Sequence, residues 1–78
     1  MYQIHIKYLF DKESIYEIEL IDTILVLKEK IQKQEGIPIQ AQRLKVGDIE
    51  LDNNKTFNDY NIKNGDFITI IIRLEYFL

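Results

Sequence analysis

The side chains that could do acid–base or ligand chemistry are few and scattered. His5 is the single histidine, and the chain has no cysteine. A metal centre or a nucleophile–base pair needs a second imidazole or a thiolate to complete it. His5 therefore reads as a surface residue of a strand. Glu17 and Glu19 share one outward strand face, but without a neighbouring His or Cys they read as a solvated pair. Asp52, Asp59 and Asp66 fall in turn segments, where Asp hydrogen-bonds to nearby backbone. No glycine-rich phosphate loop is present. The expectation is a non-enzymatic chain with no catalytic residue, cofactor, metal site or small-molecule substrate.

Composition narrows the partners. Seventy-eight residues make one domain, and 46% of them are apolar, as in ordinary globular chains. The net charge of −3 comes from 13 acids and 10 bases. They are interspersed, leaving no basic stripe to neutralise phosphates, so nucleic acid is not an expected partner. The apolar runs are too short to span a bilayer, so direct membrane insertion is not expected either. The first residues read as a strand, not as a signal or transit peptide. With no cysteine used, an intracellular location is expected, cytoplasmic before an organelle or cytoskeletal assembly.

The elements that must position any site follow from periodicity. Tyr2 to Tyr8 alternates, with Tyr2, Ile4, Ile6 and Tyr8 on one face. A turn around Phe10, Asp11 and Lys12 leads into a second alternating run, Glu13 to Leu20, completing a hairpin. Ile24, Leu27 and Ile31 form one apolar stripe, predicting a helix over about residues 23–35. Thr23 or Asp22 is placed to cap its first turn, Gly36 to end it in a left-handed conformation, and Pro38 to forbid continuation. A polar bend at Gln40-Ala-Gln42 precedes a short strand, Arg43 to Val46. Gly47-Asp48 is a turn, Ile49 to Leu51 is extended, and Thr56 to Ile62 is a loop with a short 3₁₀ turn. Phe67 to Leu74 is the last strand, and its Ile70-Ile71-Ile72 run predicts central placement with both faces buried for part of its length. A hairpin, a crossover helix and a final strand inserted between the others make a β-grasp, an α+β fold with a mixed sheet on one long helix.

The whole chain resembles the ubiquitin family. Met1-Tyr-Gln-Ile-His-Ile-Lys7 is similar to the family's first strand with one extra residue, so Tyr2 takes the place of the buried initiator methionine. Asp22-Thr-Ile24 resembles the helix start. Glu35-Gly-Ile-Pro38 followed by Gln42-Arg-Leu44 is the most specific stretch. Thr56 and Asp59-Tyr-Asn-Ile62 resemble the family's loop, where the tyrosine hydroxyl fastens the backbone. Arg73-Leu74 matches the start of the tail. The resemblance implies a ubiquitin-like β-grasp over residues 1–75, with a short apolar tail at 76–78.

The resemblance also implies three functional features, and each is altered. Where the family has Arg-Gly-Gly, this chain has Glu75-Tyr76-Phe77, then Leu78. Glycine suits the narrow clefts of activating enzymes and proteases, where Tyr76 and Phe77 should clash, so conjugation is not expected. Lys7, Lys12, Lys28 and Lys30 stand at family lysine positions, but the two best-known linkage positions carry Ile49 and Asn64. In the apolar patch read by partners, Leu9 and Ile71 are kept, Lys45 replaces the central isoleucine, and Thr69 replaces the histidine. Desolvating Lys45 should weaken partners built for the apolar anchor. Ile49 adds apolar area beside it, and Arg43 and Arg73 match basic positions used by conjugation enzymes.

Surplus apolar residues remain. Leu25 and Val26 fall off the helix stripe, and with Leu20 and Ile21 they are placed to form a second exposed cluster. Ile15 and Phe67 flank His5 on the outer sheet face. Tyr76, Phe77 and Leu78 extend past the last strand, where docking on a neighbour is favoured over folding back. Large exposed apolar patches generally have a partner. The sequence thus points to a non-conjugatable ubiquitin-like protein that is an interaction or structural subunit of a multi-subunit protein complex. The alternative is a ubiquitin mimic or modifier-like protein engaging ubiquitin-binding or conjugation machinery.

Overall fold

The structure is a computed structural model and describes residues 1–77. Strands β1 (Tyr2–Lys7) and β2 (Glu13–Ile18) form the hairpin, and helix α1 (Ile24–Glu35) crosses back over the sheet. Strands β3 (Gln42–Val46), β4 (Ile49–Glu50) and β5 (Phe67–Ile72) complete it. The strand order is β2-β1-β5-β3-β4, with β5 parallel to β1 and antiparallel to β3. The last strand is central, as its apolar character predicts, and the architecture is a ubiquitin-like β-grasp.

The core lies between α1 and the inner sheet face. Ile24, Leu27 and Ile31 from the helix meet Ile4 and Ile6 of β1, Ile18 of β2, Leu44 of β3 and Ile68 of β5, all essentially inaccessible to solvent. Each such aliphatic contributes roughly 1.5–3 kcal/mol through burial. Phe57, from the loop after β4, is fully buried in this core, and its N–H donates to the Asp22 carbonyl at 3.2 Å just before the helix start. Tyr2 packs half-buried against this core.

The two helix ends are finished differently from one another. Gly36 adopts φ 74° and donates its N–H to the Gln32 carbonyl at 2.8 Å, the left-handed ending expected of it. Neither Thr23 nor Asp22 caps the first turn through its side chain. Instead the loop backbone serves. Ile24 N–H donates to the Lys55 carbonyl at 2.9 Å and Leu25 N–H to the Asn53 carbonyl at 3.2 Å. Asp22 Oδ2 turns away and accepts from Glu19 N–H at 2.9 Å, tightening the entry from the hairpin.

Several other expectations change. Gln42 is not part of an exposed bend. It begins β3, is only 2% exposed, and its Nε2 donates to the carbonyls of Lys28 (2.9 Å) and Ile37 (3.1 Å). Ile70-Ile71-Ile72 is not buried on both faces, because α1 covers one face only; Ile70 is buried and Ile71 points to solvent. Leu74 is not in the strand: after β5 the backbone turns through a 3₁₀ helix, Leu74–Phe77, instead of continuing extended. The Leu20, Ile21, Leu25 and Val26 cluster does not form as an exposed patch. Leu20 packs on the core, Leu25 and Val26 are half-buried, and Ile21 alone is strongly exposed.

The hairpin tip carries a feature that periodicity does not reveal. Phe10 and Asp11 take φ 60° and 63°. Left-handed backbone costs an ordinary L-residue about 1–2 kcal/mol. Asp tolerates it better than Phe.

Candidate protein-contact site

The outer face of the sheet is built by strand parity. Residues of odd number in β1, β2, β3 and β5 point away from α1 and lie in rows set by the register. Ile15, His5 and Phe67 form one row, and Glu13, Lys7, Thr69 and Lys45 the next. Ile71 lies opposite Arg43 in the row beyond. His5 sits half-buried between its neighbours: its ring centroid is 4.8 Å from that of Phe67, and its Nδ1 lies 2.7 Å from Glu13 Oε1. Lys7 Nζ stands 4.7 Å from the Phe67 ring centroid, within cation–π range. The flanking of His5 by Ile15 and Phe67 is as the sequence implies.

At the end of the sheet nearest the helix C-terminus this face meets a groove of about 480 Å³. Leu9, Thr69 and Ile71 line it, joined by Tyr8, Ile37, Ile70 and Ile72, with Lys12 and Glu35 at its rim. The fold thus brings Leu9, Thr69 and Ile71 together, with Lys45 and Arg43 registered beside the last two on β3. Ile49 lies one strand further out, opposite Val46. Leu25 does not join them: it is ten residues before Glu35 on α1, about 15 Å along the axis.

Three of the basic residues here are paired within the chain. Arg43 donates to Glu50 Oε1 at 2.6 Å, which raises the guanidinium and holds the Glu50 carboxyl below its ordinary range. Arg73 Nε donates to Glu75 Oε1 at 2.8 Å, and its guanidinium stands 5.2 Å from the Tyr76 ring centroid. Arg73 N–H also donates to the Ala41 carbonyl at 2.8 Å, joining the start of the tail to the 3₁₀ turn that precedes β3. Lys12 pairs with Glu35, a hydrogen bond that raises its amine. Of the tail, Tyr76 is partly exposed, Phe77 ends the 3₁₀ turn, and Leu78 lies outside the described residues.

On the inner face of β2, Tyr16 is buried and its phenol is pushed up by that burial. Lys28 is buried on the helix side, and burial lowers its amine, partly opposed by Glu50 and Asp52. Among the described residues no group of three His, Asp or Glu side chains is disposed to hold a metal. No helix is long and apolar enough to cross a membrane. The arrangement offers apolar contact area edged by ion pairs, which suits recognition.

Sequence reasoning missed Ile37, Ile72 and Phe10. Ile72 has inward parity, yet it is partly exposed and lines the groove beside the helix end. Ile37 follows the helix end, where an apolar contact commonly accompanies the glycine. Phe10 carried no signal, since its residue type disfavours the conformation it adopts.

A family model described as Ubiquitin family matches residues 4–75. The chain is 36% identical over 73 residues to NEDD8-like protein RUB3 of Arabidopsis thaliana, covering 94% of each. It is 32% identical over 72 residues to Ubiquitin-like protein NEDD8 of Dictyostelium discoideum, covering 92% of this chain and 94% of that one. A match to UV excision repair protein rhp23 of Schizosaccharomyces pombe, 36% identical over 61 residues, takes in 78% of this chain but 17% of that protein. None of these indicates an enzymatic family.

Proposed function

We propose, on the premise that this chain belongs to the ubiquitin family, that it works as a non-covalent protein-contact subunit of a larger assembly and not as a label joined through its tail. Residues 1–75 act as the ubiquitin-like domain and 76–78 as a short apolar tail. The observation that carries the reading is Glu75-Tyr76-Phe77, which stands where the family's pattern has Arg-Gly-Gly. Those side chains add bulk, and Glu75 neutralises Arg73 by pairing with it at 2.8 Å. A cleft shaped for side-chain-free backbone must expand by two aromatic rings to admit them.

The contact surface is the end of the sheet bearing Leu9, Thr69 and Ile71, extended by Lys45, Ile49 and Arg43 and by the tail from Arg73 through Tyr76, Phe77 and Leu78. Leu25 supplies a lesser contact on the helix side. The engagement of ubiquitin-binding proteins as a mimic is disfavoured by Lys45 in the middle of this surface and by the internal pairing of Arg43 and Arg73. The test is purification of the tagged chain from its own cells, once under native conditions and once after boiling in detergent. Stoichiometric companions that are lost on boiling are expected. A companion that stays attached after boiling overturns the reading, and displacement of labelled ubiquitin from its binding domains supports the mimic instead.

A further inference from the structure

Asn64 is the one asparagine of the chain that is followed by glycine; Asn53, Asn54, Asn58 and Asn61 precede Asn, Lys, Asp and Ile. Asn64 is exposed in the turn before β5, so water reaches it. A glycine in the second place leaves its nitrogen open to attack on the preceding side-chain amide, where a larger residue would screen it. Gly65 takes φ 86°, and the place of its missing Cβ is open space. The same pair is fastened to β1. Gln3 N–H donates to Asn64 Oδ1 at 2.7 Å, and Gly65 N–H donates to the Gln3 carbonyl at 2.7 Å. His5 N–H donates to the Asp66 carbonyl at 2.9 Å on the next rung. The Asn64 amide thus stands in for a backbone carbonyl and extends the parallel β1–β5 ladder beyond the pair His5 and Phe67.

We infer that Asn64-Gly65 is a self-modification site, and that its conversion waits on the opening of the Gln3 clamp. The Gly65 nitrogen bonds to Asn64 Cγ, the Cγ–Nδ2 bond breaks, and ammonia leaves with the proton that the nitrogen gives up. Water then opens the resulting succinimide at one of its two carbonyls, leaving aspartate or isoaspartate. In the closed turn both reacting groups are occupied: the Gly65 N–H is held by the Gln3 carbonyl, and the Asn64 oxygen by Gln3 N–H. Gln3 is exposed and is the second residue of β1, so this end can open without unfolding the core. The two products then part. Aspartate keeps an acceptor where Oδ1 stands, and the clamp closes again. Isoaspartate routes the main chain through the former side chain and adds a methylene to it, so Gly65 N–H no longer meets the Gln3 carbonyl in register. The inference stands independently of the proposed contact function.

Ageing the full chain in mildly alkaline buffer tests it, with one series folded and another unfolded in guanidinium. Intact mass, peptide mapping that separates aspartate from isoaspartate, and hydrogen exchange at the Gly65 amide follow the change. Conversion is expected first at Asn64 in both series, and roughly thirtyfold or more slower in the folded one, the factor that two hydrogen bonds of ordinary net strength supply. The isoaspartate form should lose protection at Gly65 while the amides of α1 keep theirs. Asn64→Asp should keep Gly65 protected and gain no mass over the same period. Equal rates in the two series, earlier conversion at another asparagine, or an isoaspartate form with Gly65 still protected each overturns the inference. So does an Asn64→Asp chain that gains mass as the wild type does or leaves Gly65 unprotected. A folded chain whose Asn64 converts only as fast as global unfolding allows overturns it too, because the clamp then has no opening of its own.

Discussion

Replacing Lys28 with Met tests how the helix is buried. Lys28 follows Leu27 on α1 and is only 7% exposed, and no acidic side chain among the described residues lies within ion-pair distance of its amine. Its burial lowers the amine from the ordinary value of 10.5. Folding therefore takes part of the water from an ammonium, with Glu50 and Asp52 acting on it only from beyond ion-pair distance. Exchanging buried charge for an apolar side chain of similar volume gains about 1–4 kcal/mol. A flexible amine near the surface belongs at the low end, so Lys28→Met should stabilise by about 1 kcal/mol, a rise of about 4–8 °C in a domain of this size. Lys28→Ala goes the other way. It keeps only the first methylene of the stem, and three lost methylenes at about 0.8 kcal/mol each cost roughly 2 kcal/mol, more than the relieved charge returns. The pH dependence follows from linkage. Between the lowered folded value and 10.5 the unfolded state binds more protons, so wild-type stability rises with pH through that window while the Met variant shows no such rise. The gap between them should close above pH 10.5. Urea denaturation across pH, with calorimetry at neutral pH, reads all three effects. A Met variant less stable than wild type by about 1 kcal/mol or more, the size of an ordinary destabilising substitution, would contradict this, because the amine would then have a partner worth more than its burial costs.

Three further expectations concern positions that anchor the site. Gln42→Ala should cost about 1–3 kcal/mol in chemical denaturation, since the carbonyls of Lys28 and Ile37 both lose their side-chain donor in a buried place. Tyr60→Phe should cost about 1 kcal/mol by the same assay, because the hydroxyl accepts from Asp52 N–H at 2.8 Å and fastens the loop. Asp59 Oδ2 accepts from Thr56 N–H at 2.9 Å while Thr56 Oγ1 accepts from Asp59 N–H at 3.1 Å, and the backbone bond holds the carboxyl below its ordinary value of 3.8. Its contribution is present above 3.8 and is lost as pH falls through the lower folded value, so Asp59→Asn should flatten part of the acid limb of a stability–pH curve.

The elements with strict periodicity were legible in the sequence. The alternation of β1 and β2 and the stripe of Ile24, Leu27 and Ile31 each state which face is buried, and Gly36 with Pro38 marks where the helix stops. The loop around Tyr60 was legible through family resemblance, not through periodicity. What was hidden depends on contacts between distant segments. The α1 cap comes from Lys55 and Asn53 carbonyls about thirty residues on, and no local pattern encodes that. Gln42 looked like bend polarity because its value lies in two carbonyls that only the folded helix end presents. The exposure of Ile71 follows from a sheet covered on one side, which an unbroken isoleucine run cannot reveal. Leu20, just before the helix, packs on the core, and Val26 is half-buried; the angle around a helix fixes neither, because Leu20 lies outside it and Val26 falls at the edge of its stripe. At the candidate site, resemblance singled out Leu9, Thr69 and Ile71, and the fold adds Ile37 and Ile72 to the same groove, which no local pattern encodes.

The claim that this member of the ubiquitin family acts through contact and not through conjugation meets its sharpest test at the tail. The full chain, incubated with ATP and the activating and conjugating enzymes of its own cells, is separated under denaturing, reducing conditions and read by intact-mass and peptide spectrometry. Free chain only is expected, with no adenylate, thioester or isopeptide formed at its terminal carboxylate. An isopeptide from that carboxylate to a lysine of another protein would overturn the claim.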